Sequence, residues 1–275
     1  MRSLNVRAAL LSALLLVLFL GAWELANAPK ASVQADDDYA ALMGGGGDMA
    51  RVPSPSEIGA LALRKLSDPF YDAGPNDKGI GLQLLYSIGR VLAGYLLAVA
   101  VAVPLGFVIG MSPLMQKALD PFIQVLKPIS PLAWMPLALF VIKDSILSAV
   151  FVIFICSVWP ILLNTAFGVA AVSKDWLNVA RTLELSRLRT AFTVILPAAA
   201  PTILTGMRIS IGIAWLVIVA AEMLVGGTGI GYYVWNEWNN LDLTSVMFAI
   251  LMIGVVGMLL DLTLARLTKL VQYAT

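Results

Sequence analysis

The stretch SKDWLNVARTLELSRLRTAFTVILPAAAP, residues 173–201, is a charged island in a chain that is otherwise greasy. Lys174, Arg181, Arg187 and Arg189 stand in it against Asp175 and Glu184, and it closes towards Ile195-Leu196-Pro197. Ser173 can cap a helix, and Asp175 falls in the first turn, where a carboxylate complements the positive helix end. On that helix Trp176, Val179, Ala180 and Leu183 fall on one stripe. A solvated loop whose arginines only set topology has no need of an apolar stripe. Such a face buries against the chain's own spans or against a partner.

On either side of the island lie long apolar runs. Of the 275 residues 60% are hydrophobic and 13% charged, where soluble domains carry roughly 25% charged residues. Several runs reach about 18 residues or more, which defines an all-α polytopic membrane protein embedded in a lipid bilayer. The runs are continuous and do not alternate, so a β-barrel is excluded. A net charge of +1 gives no pull towards nucleic acid. With no histidine and Cys156 as the one cysteine, an intrachain disulfide, a His/Cys metal site and histidine acid–base catalysis are all excluded. No cofactor and no catalytic residue are expected.

Six spans follow from the pattern. Residues 1–28 form the first, although Arg2 and Arg7, the run Ala8–Leu25 and the small residues Ala26-Asn27-Ala28 also fit a cleaved signal peptide. Residues 29–81 are polar and are placed outside, with Asp36-Asp37-Asp38, the Gly44–Gly47 run, and an amphipathic helix starting near Ser56 with Ile58, Leu61 and Leu66 on one side. Residues 82–275 hold five more spans, with the charged segment 173–197 between the fourth and fifth. Span two covers Leu82–Met111, where Gly94, Pro104, Gly106 and Gly110 suggest close packing and a kink. Pro113–Asp120 reads as a short turn carrying Lys117. Span three, Pro121–Ile142, is interrupted by Pro128, Pro131 and Pro136, and a helix so broken is tolerated where it faces protein or a water-filled cavity. Lys143-Asp144 makes a tight turn into span four, Ser145–Val172. Spans five and six cover Ala199–Ala221 and Ser245–Leu267. Arg2/Arg7, Lys117, the cluster at Ser173–Thr190 and Arg266/Lys269 all fall on one side of such a chain, which the positive-inside rule makes cytoplasmic, with both termini inside.

Gly226-Gly227-Thr228-Gly229-Ile230-Gly231 looks like a dinucleotide fingerprint but lacks a preceding strand, and it reads as a flexible re-entrant turn on the outer side. No Walker-type phosphate loop occurs, so any ATP is hydrolysed by another chain. Ionisable groups inside spans are functional candidates. Lys127 and Arg208 are candidates for an electropositive path, with Trp134, Asn164, Thr165 and Trp215 as lining. The bland alternative for Arg208 is a pair with Asp261 holding two spans together, and Glu222 reads as an anchor for the outer loop. Ser210 can also line the path, with interhelical hydrogen bonding or packing as its bland alternative, and Cys156 reads as a packing residue.

Asn178–Pro197 resembles the EAA loop of ABC-type importer permeases. That motif places Glu-Ala-Ala, a glycine four residues after the second alanine, and Ile-x-Leu-Pro over some twenty positions. Here Asn178-Val179-Ala180, Glu184 and Val194-Ile195-Leu196-Pro197 occupy them, so only the second alanine and the Leu-Pro match literally. The stretches Val52–Ser56, Leu126–Leu137, and Gly206-Met207-Arg208 through Ala220–Leu224 extend the resemblance over nearly the whole chain, to the nitrate/sulfonate/taurine-type permeases. Ser67–Asp72, Gly74–Gly79 and Trp159–Gly168 resemble the nitrate/nitrite branch and its bicarbonate relatives. The resemblance implies the type I ABC importer permease fold in a bacterial inner membrane, a second permease copy, two ATP-binding subunits inside and a substrate-binding protein outside. It also implies that Trp176, Asn178, Val179, Ala180, Arg181, Leu183, Glu184 and Leu185 contact the ATPase, and that the cargo is a small inorganic anion, nitrate or nitrite before bicarbonate. A passive anion channel would have no use for the amphipathic segment, and a membrane-embedded enzyme would need acid–base residues clustered near one span.

Overall fold

The computed structural model describes residues 2–27, 52–74 and 77–271. The Asp36–Asp38 and Gly44–Gly47 runs lie outside the described residues. What is described is helical: α1 (Arg2–Asn27), α2 (Pro55–Ser67), α3 (Ile80–Met111), α4 (Pro113–Leu126), α5 (Met135–Ile142), α6 (Ser145–Ala170), α7 (Lys174–Thr182), α8 (Arg187–Thr190), α9 (Leu196–Val225), α10 (Ile230–Asn239) and α11 (Leu243–Val271). Five stretches are long and apolar enough to cross a membrane: α1, α3, α6, the run from α8 through α9, and α11. The pair of α4 and the segment ending in α5, bent by 83°, makes a sixth if it counts as one span.

α6 is the centre of the bundle, packed between α3 on one side and α9 on the other. Between membrane helices the hydrophobic effect gives no drive, because lipid is as apolar as leucine, so close approach of backbones and interhelical hydrogen bonds must hold them. Small residues permit that approach. A Cβ on Gly106 of α3 would stand 2.6 Å from the Cβ of Thr165, and one on Gly206 of α9 would stand 2.6 Å from the Cβ of Asn164. The closeness expected of Gly94, Gly106 and Gly110 is therefore present, all three meeting α6.

α2 starts at Pro55, one residue ahead of the start near Ser56 that its pattern suggests. Ser54 is the N-cap and forms a capping box with Glu57, leaving Ser56 free to donate its hydroxyl to Glu24 of α1 at 2.8 Å. Ile58 and Leu61 are buried as expected, whereas Leu66 is exposed.

The third span departs most from expectation. Pro113–Asp120 is not a turn: Ser112 caps a helix there, accepting from the Met115 N–H at 3.3 Å, and Pro113 occupies a first-turn position where its missing N–H costs nothing. The helix then breaks after Leu126. A 3₁₀ turn over Pro131–Trp134 lets the Met135 N–H reach the Leu132 carbonyl, which the ring of Pro136 would otherwise leave without a donor. After α5, Lys143 takes a left-handed φ of 56° and Asp144 caps α6 through the Leu147 N–H at 2.7 Å.

The charged island also divides differently. Only its first part stands off the bundle. From Arg187 the chain runs into α9 through a π-turn over Ala191–Ile195, in which the Leu196 N–H reaches back five residues to the Ala191 carbonyl. The turn sits directly ahead of Pro197, which can give no N–H to the ladder, and a π-turn shifts the hydrogen-bond register where it fails. The Ile-Leu-Pro end of the motif thus marks the entry of the fifth span.

Candidate functional site

Three places gather the residues singled out above. The first is α7. Ser173 caps it by accepting from the Asp175 N–H at 3.2 Å, and Leu177 and Ala180 turn inwards, Leu177 against the small cluster of Val169, Ile195, Ala199 and Ile203. The apolar residues therefore split between two faces. Ala180 is 2% exposed, while Trp176, Val179 and Leu183 stand 57%, 58% and 66% exposed. Two large apolar side chains on a nine-residue helix and a third at its C-cap, outside the apolar spans, form a face prepared for a partner. Asn178 and Glu184 are exposed beside it, whereas Arg181 and Leu185 line a cavity behind the helix, towards the chain's own spans.

The end of α7 explains the family's glycine. The Leu185 N–H bonds the Ala180 carbonyl at 3.1 Å and the Glu184 N–H bonds the Arg181 carbonyl at 2.9 Å. That is a Schellman ending, and its C′ residue must be left-handed. Glu184 holds that position with φ 51°, which glycine adopts without steric penalty.

The second place is the broken span. Lys127, at the C-terminal end of α4, lines a cavity of about 420 Å³ together with Pro131, Trp159, Asn164 and Ile213. Asn164 gives one amide hydrogen to the Pro160 carbonyl of its own helix at 2.8 Å, and a second donor remains to it. The other path candidates lie elsewhere. Trp134 is packed against the core, and Thr165 is fully buried with its hydroxyl unpaired. Trp215 is buried and donates to the Ile253 carbonyl at 2.9 Å. Arg208 holds Asp261 through two hydrogen bonds of 2.6 Å, the bidentate geometry of a span-to-span clamp. Ser210 donates to the Ser157 carbonyl at 3.0 Å and so joins α9 to α6.

The third place was not assembled by sequence reasoning. Gln83, Ser87 and Arg90 lie on one face of α3 and meet Glu222 of α9 beneath the glycine loop. Glu222, 1% exposed, accepts from Arg90 at 2.6 Å, from the Ser87 hydroxyl at 2.8 Å and from the Gly231 N–H at 3.0 Å. Ser87 in turn accepts from the Ile230 N–H at 2.9 Å, and Gln83 accepts from the Gly229 N–H at 2.6 Å. Arg90 also donates to the carbonyl and hydroxyl of Thr228. The first amides of α10, which no helical carbonyl can satisfy, are thus taken by side chains of two other helices. Glu222 anchors the loop as expected, and the side chains of α3 seat it closely. A Cβ on Gly229 would fall 2.3 Å from the Glu222 carboxylate, and one on Gly231 would fall 2.0 Å from the Val219 carbonyl. Arg90, Glu222 and Thr228 also line an adjoining cavity of about 420 Å³ with Lys78 and Asp144.

Before α3 the chain makes a small loop in which Lys78 pairs with Asp72 at 2.5 Å, holding that carboxyl below its usual range. Burial, aided by a hydrogen bond to Asp77, pushes the Tyr71 hydroxyl up to about 12. On α10 burial raises the Glu237 carboxyl.

Apolar spans packed on a central helix, a short helix with one face packed on them and an apolar face exposed, and a polar clamp at the opposite loop define a helical membrane protein. The family model described as binding-protein-dependent transport system inner membrane component matches residues 102–273. The chain belongs to this family and is an inner-membrane subunit of an ABC importer, in which ATP hydrolysis falls to separate subunits. The nitrate import permease protein NrtB of Synechocystis sp. is 44% identical over 225 residues, 82% of each chain. NrtB of Leptolyngbya laminosa is 49% identical over 194 residues, 70% of each. The bicarbonate transport system permease protein CmpB of Synechocystis sp. is 43% identical over 226 residues, 81% of each. Among solved structures, a chain of an inward-facing MetNI methionine ABC transporter superposes with a TM-score of 0.61 at 12% identity, covering 69% of this chain and 94% of that one. That likeness speaks for the fold.

Proposed function

We propose that this importer subunit carries a small inorganic oxyanion, nitrate or nitrite, and that α7 transmits the motion of an ATP-binding subunit to the spans. The observation that carries the coupling role is the exposed face of Trp176, Val179 and Leu183 on a helix whose other face is packed home. The assembly has two copies of this chain, two ATP-binding subunits on the side of α7, which is the cytoplasmic side with both termini, and a substrate-binding protein on the side of the glycine loop. ATP closes the ATPase dimer, α7 follows it, and the spans move from one opening to the other. Lys127 and Asn164 offer donors in the cavity beside the break in the third span. A small oxyanion needs only such modest, partly dehydrating contacts, because a deep well would hold it in place.

The NrtB relatives support nitrate, and the CmpB relative keeps bicarbonate as the second reading. Uptake of labelled nitrate and labelled bicarbonate in a strain lacking this chain separates them. Loss of nitrate uptake restored by the chain is expected. Loss of bicarbonate uptake alone would overturn the nitrate reading.

A further inference from the structure

Behind α7, on the face opposite Trp176, Val179 and Leu183, lies a cavity of about 650 Å³. Lys174 and Arg181 from α7 and Arg187 from the turn after it line its charged side. The ends of α3 and α6 wall it, with Met111 and Ala170 among them. Among the described residues no carboxylate lines it: the neighbouring acids, Asp175 and Glu184, stand outside the lining. Among the described residues none of the three cations has an ion-pair partner, and Arg181 reaches only the Asn178 amide oxygen, at 3.5 Å.

Three like charges gathered on one concave wall repel each other, and a cleft with low-dielectric walls concentrates their field. Two guanidinium groups and an ammonium supply the donors that a phosphate group takes best, since guanidinium matches its oxygens in a fork. The wall formed by the last residues of two spans sets the cavity at the depth where a bilayer's headgroups begin. We infer that Lys174, Arg181 and Arg187 bind a phosphate-bearing anion behind α7, either the headgroup of an anionic lipid or free phosphate. Such an anion ties Lys174 and Arg181 of α7 to Arg187 at the start of α8, ahead of the fifth span, so its occupancy sets how stiffly α7 is mounted. The assignment of α7 to the cytoplasmic side rests on the proposed function, but the cavity and its charge do not.

The test uses the full chain in nanodiscs and reads backbone hydrogen exchange over residues 173–190. One arm is phosphatidylcholine alone, a second adds inorganic phosphate against chloride at constant ionic strength, and a third replaces part of the lipid with phosphatidylglycerol. Exchange slower by about tenfold in the second or third arm is expected, the arm that responds naming the source. R181Q/R187Q and, separately, K174Q should abolish or weaken the response, and R189Q, exposed but outside the cavity, should keep it. No protection in either arm overturns the site. So does protection undiminished in both the double variant and K174Q, or protection lost equally in R189Q, which would make it a surface-charge effect. Co-purification of ATP-binding subunits, measured on the same variants, reports the coupling role separately, so failure of one reading is not mistaken for failure of the other.

Discussion

Replacing Glu222 by alanine tests whether the buried clamp, and not apolar packing, seats the glycine loop. The carboxylate is 1% exposed and its Arg90 partner 10%, so the substitution strands a guanidinium where water hardly reaches. Removing one member of such a pair costs about 3–5 kcal/mol. The Ser87 hydroxyl and the Gly231 N–H lose their acceptor as well. Each would add about 1–3 kcal/mol if left dry, though the adjoining cavity can admit water and offset part of it. A loss of about 4 kcal/mol is therefore expected for E222A, measured by denaturant unfolding in mixed micelles and followed through the fluorescence of Trp235 and Trp238 on α10. R90A should cost a similar amount, since it leaves the carboxylate alone. The double variant R90A/E222A decides the matter: with neither charge left to strand, it should fall short of the sum of the single losses by about 1–3 kcal/mol. Additivity of the two within about 0.5 kcal/mol would refute the clamp, because independent sites add.

Two further substitutions address α7. E184G relieves a left-handed residue that costs about 1–2 kcal/mol with a Cβ and returns part of the gain to the freer unfolded chain, so a net stabilisation of up to about 1 kcal/mol is expected in the same unfolding assay. E184A keeps the Cβ, and an equal gain from it would show that the carboxylate, not the backbone, is at issue. L183D places a charge on the exposed apolar face without touching the packed one. It should abolish co-purification of the ATP-binding subunits while leaving the chain's unfolding midpoint within about 0.5 kcal/mol of the parent. Retained co-purification would move the docking surface elsewhere.

The spans were legible because a bilayer leaves little choice: about 20 apolar residues must pair their own backbone groups, and a helix does so within one segment. What apolarity does not encode is where a helix starts when its first turn is polar. Pro113-Leu114-Met115-Gln116-Lys117 reads as a turn because proline and lysine punctuate it, yet proline at the first helical position and serine before it are also a start signal. α2 carries the same signal, with Ser54 as cap and Pro55 as first helical residue, beside the start near Ser56 read from the pattern. In both, the cap decided the boundary and the apolar pattern did not.

The sites show a different limit. A helical period identifies residues that share a side but not which side is outward, and on α7 the sequence stripe mixed an inward Ala180 with the outward Trp176, Val179 and Leu183 while omitting the inward Leu177. Only the neighbours Val169, Ile195 and Ile203, distant in sequence from α7 or separated from it by a turn, settle the orientation. For the clamp a signal did exist. Gln83, Ser87 and Arg90 recur at i, i+4 and i+7 in the opening turns of α3, a polar stripe on a span that is apolar elsewhere. On a lipid-facing surface such a stripe would be costly, so it must meet polar partners from other elements. Glu222 and the amides of a glycine-rich turn are the groups of opposite need: a buried carboxylate wanting donors, and helix-start N–H groups wanting acceptors. Reading the stripe and the turn together, each as an unpaired demand, would have joined them across more than 130 residues of chain.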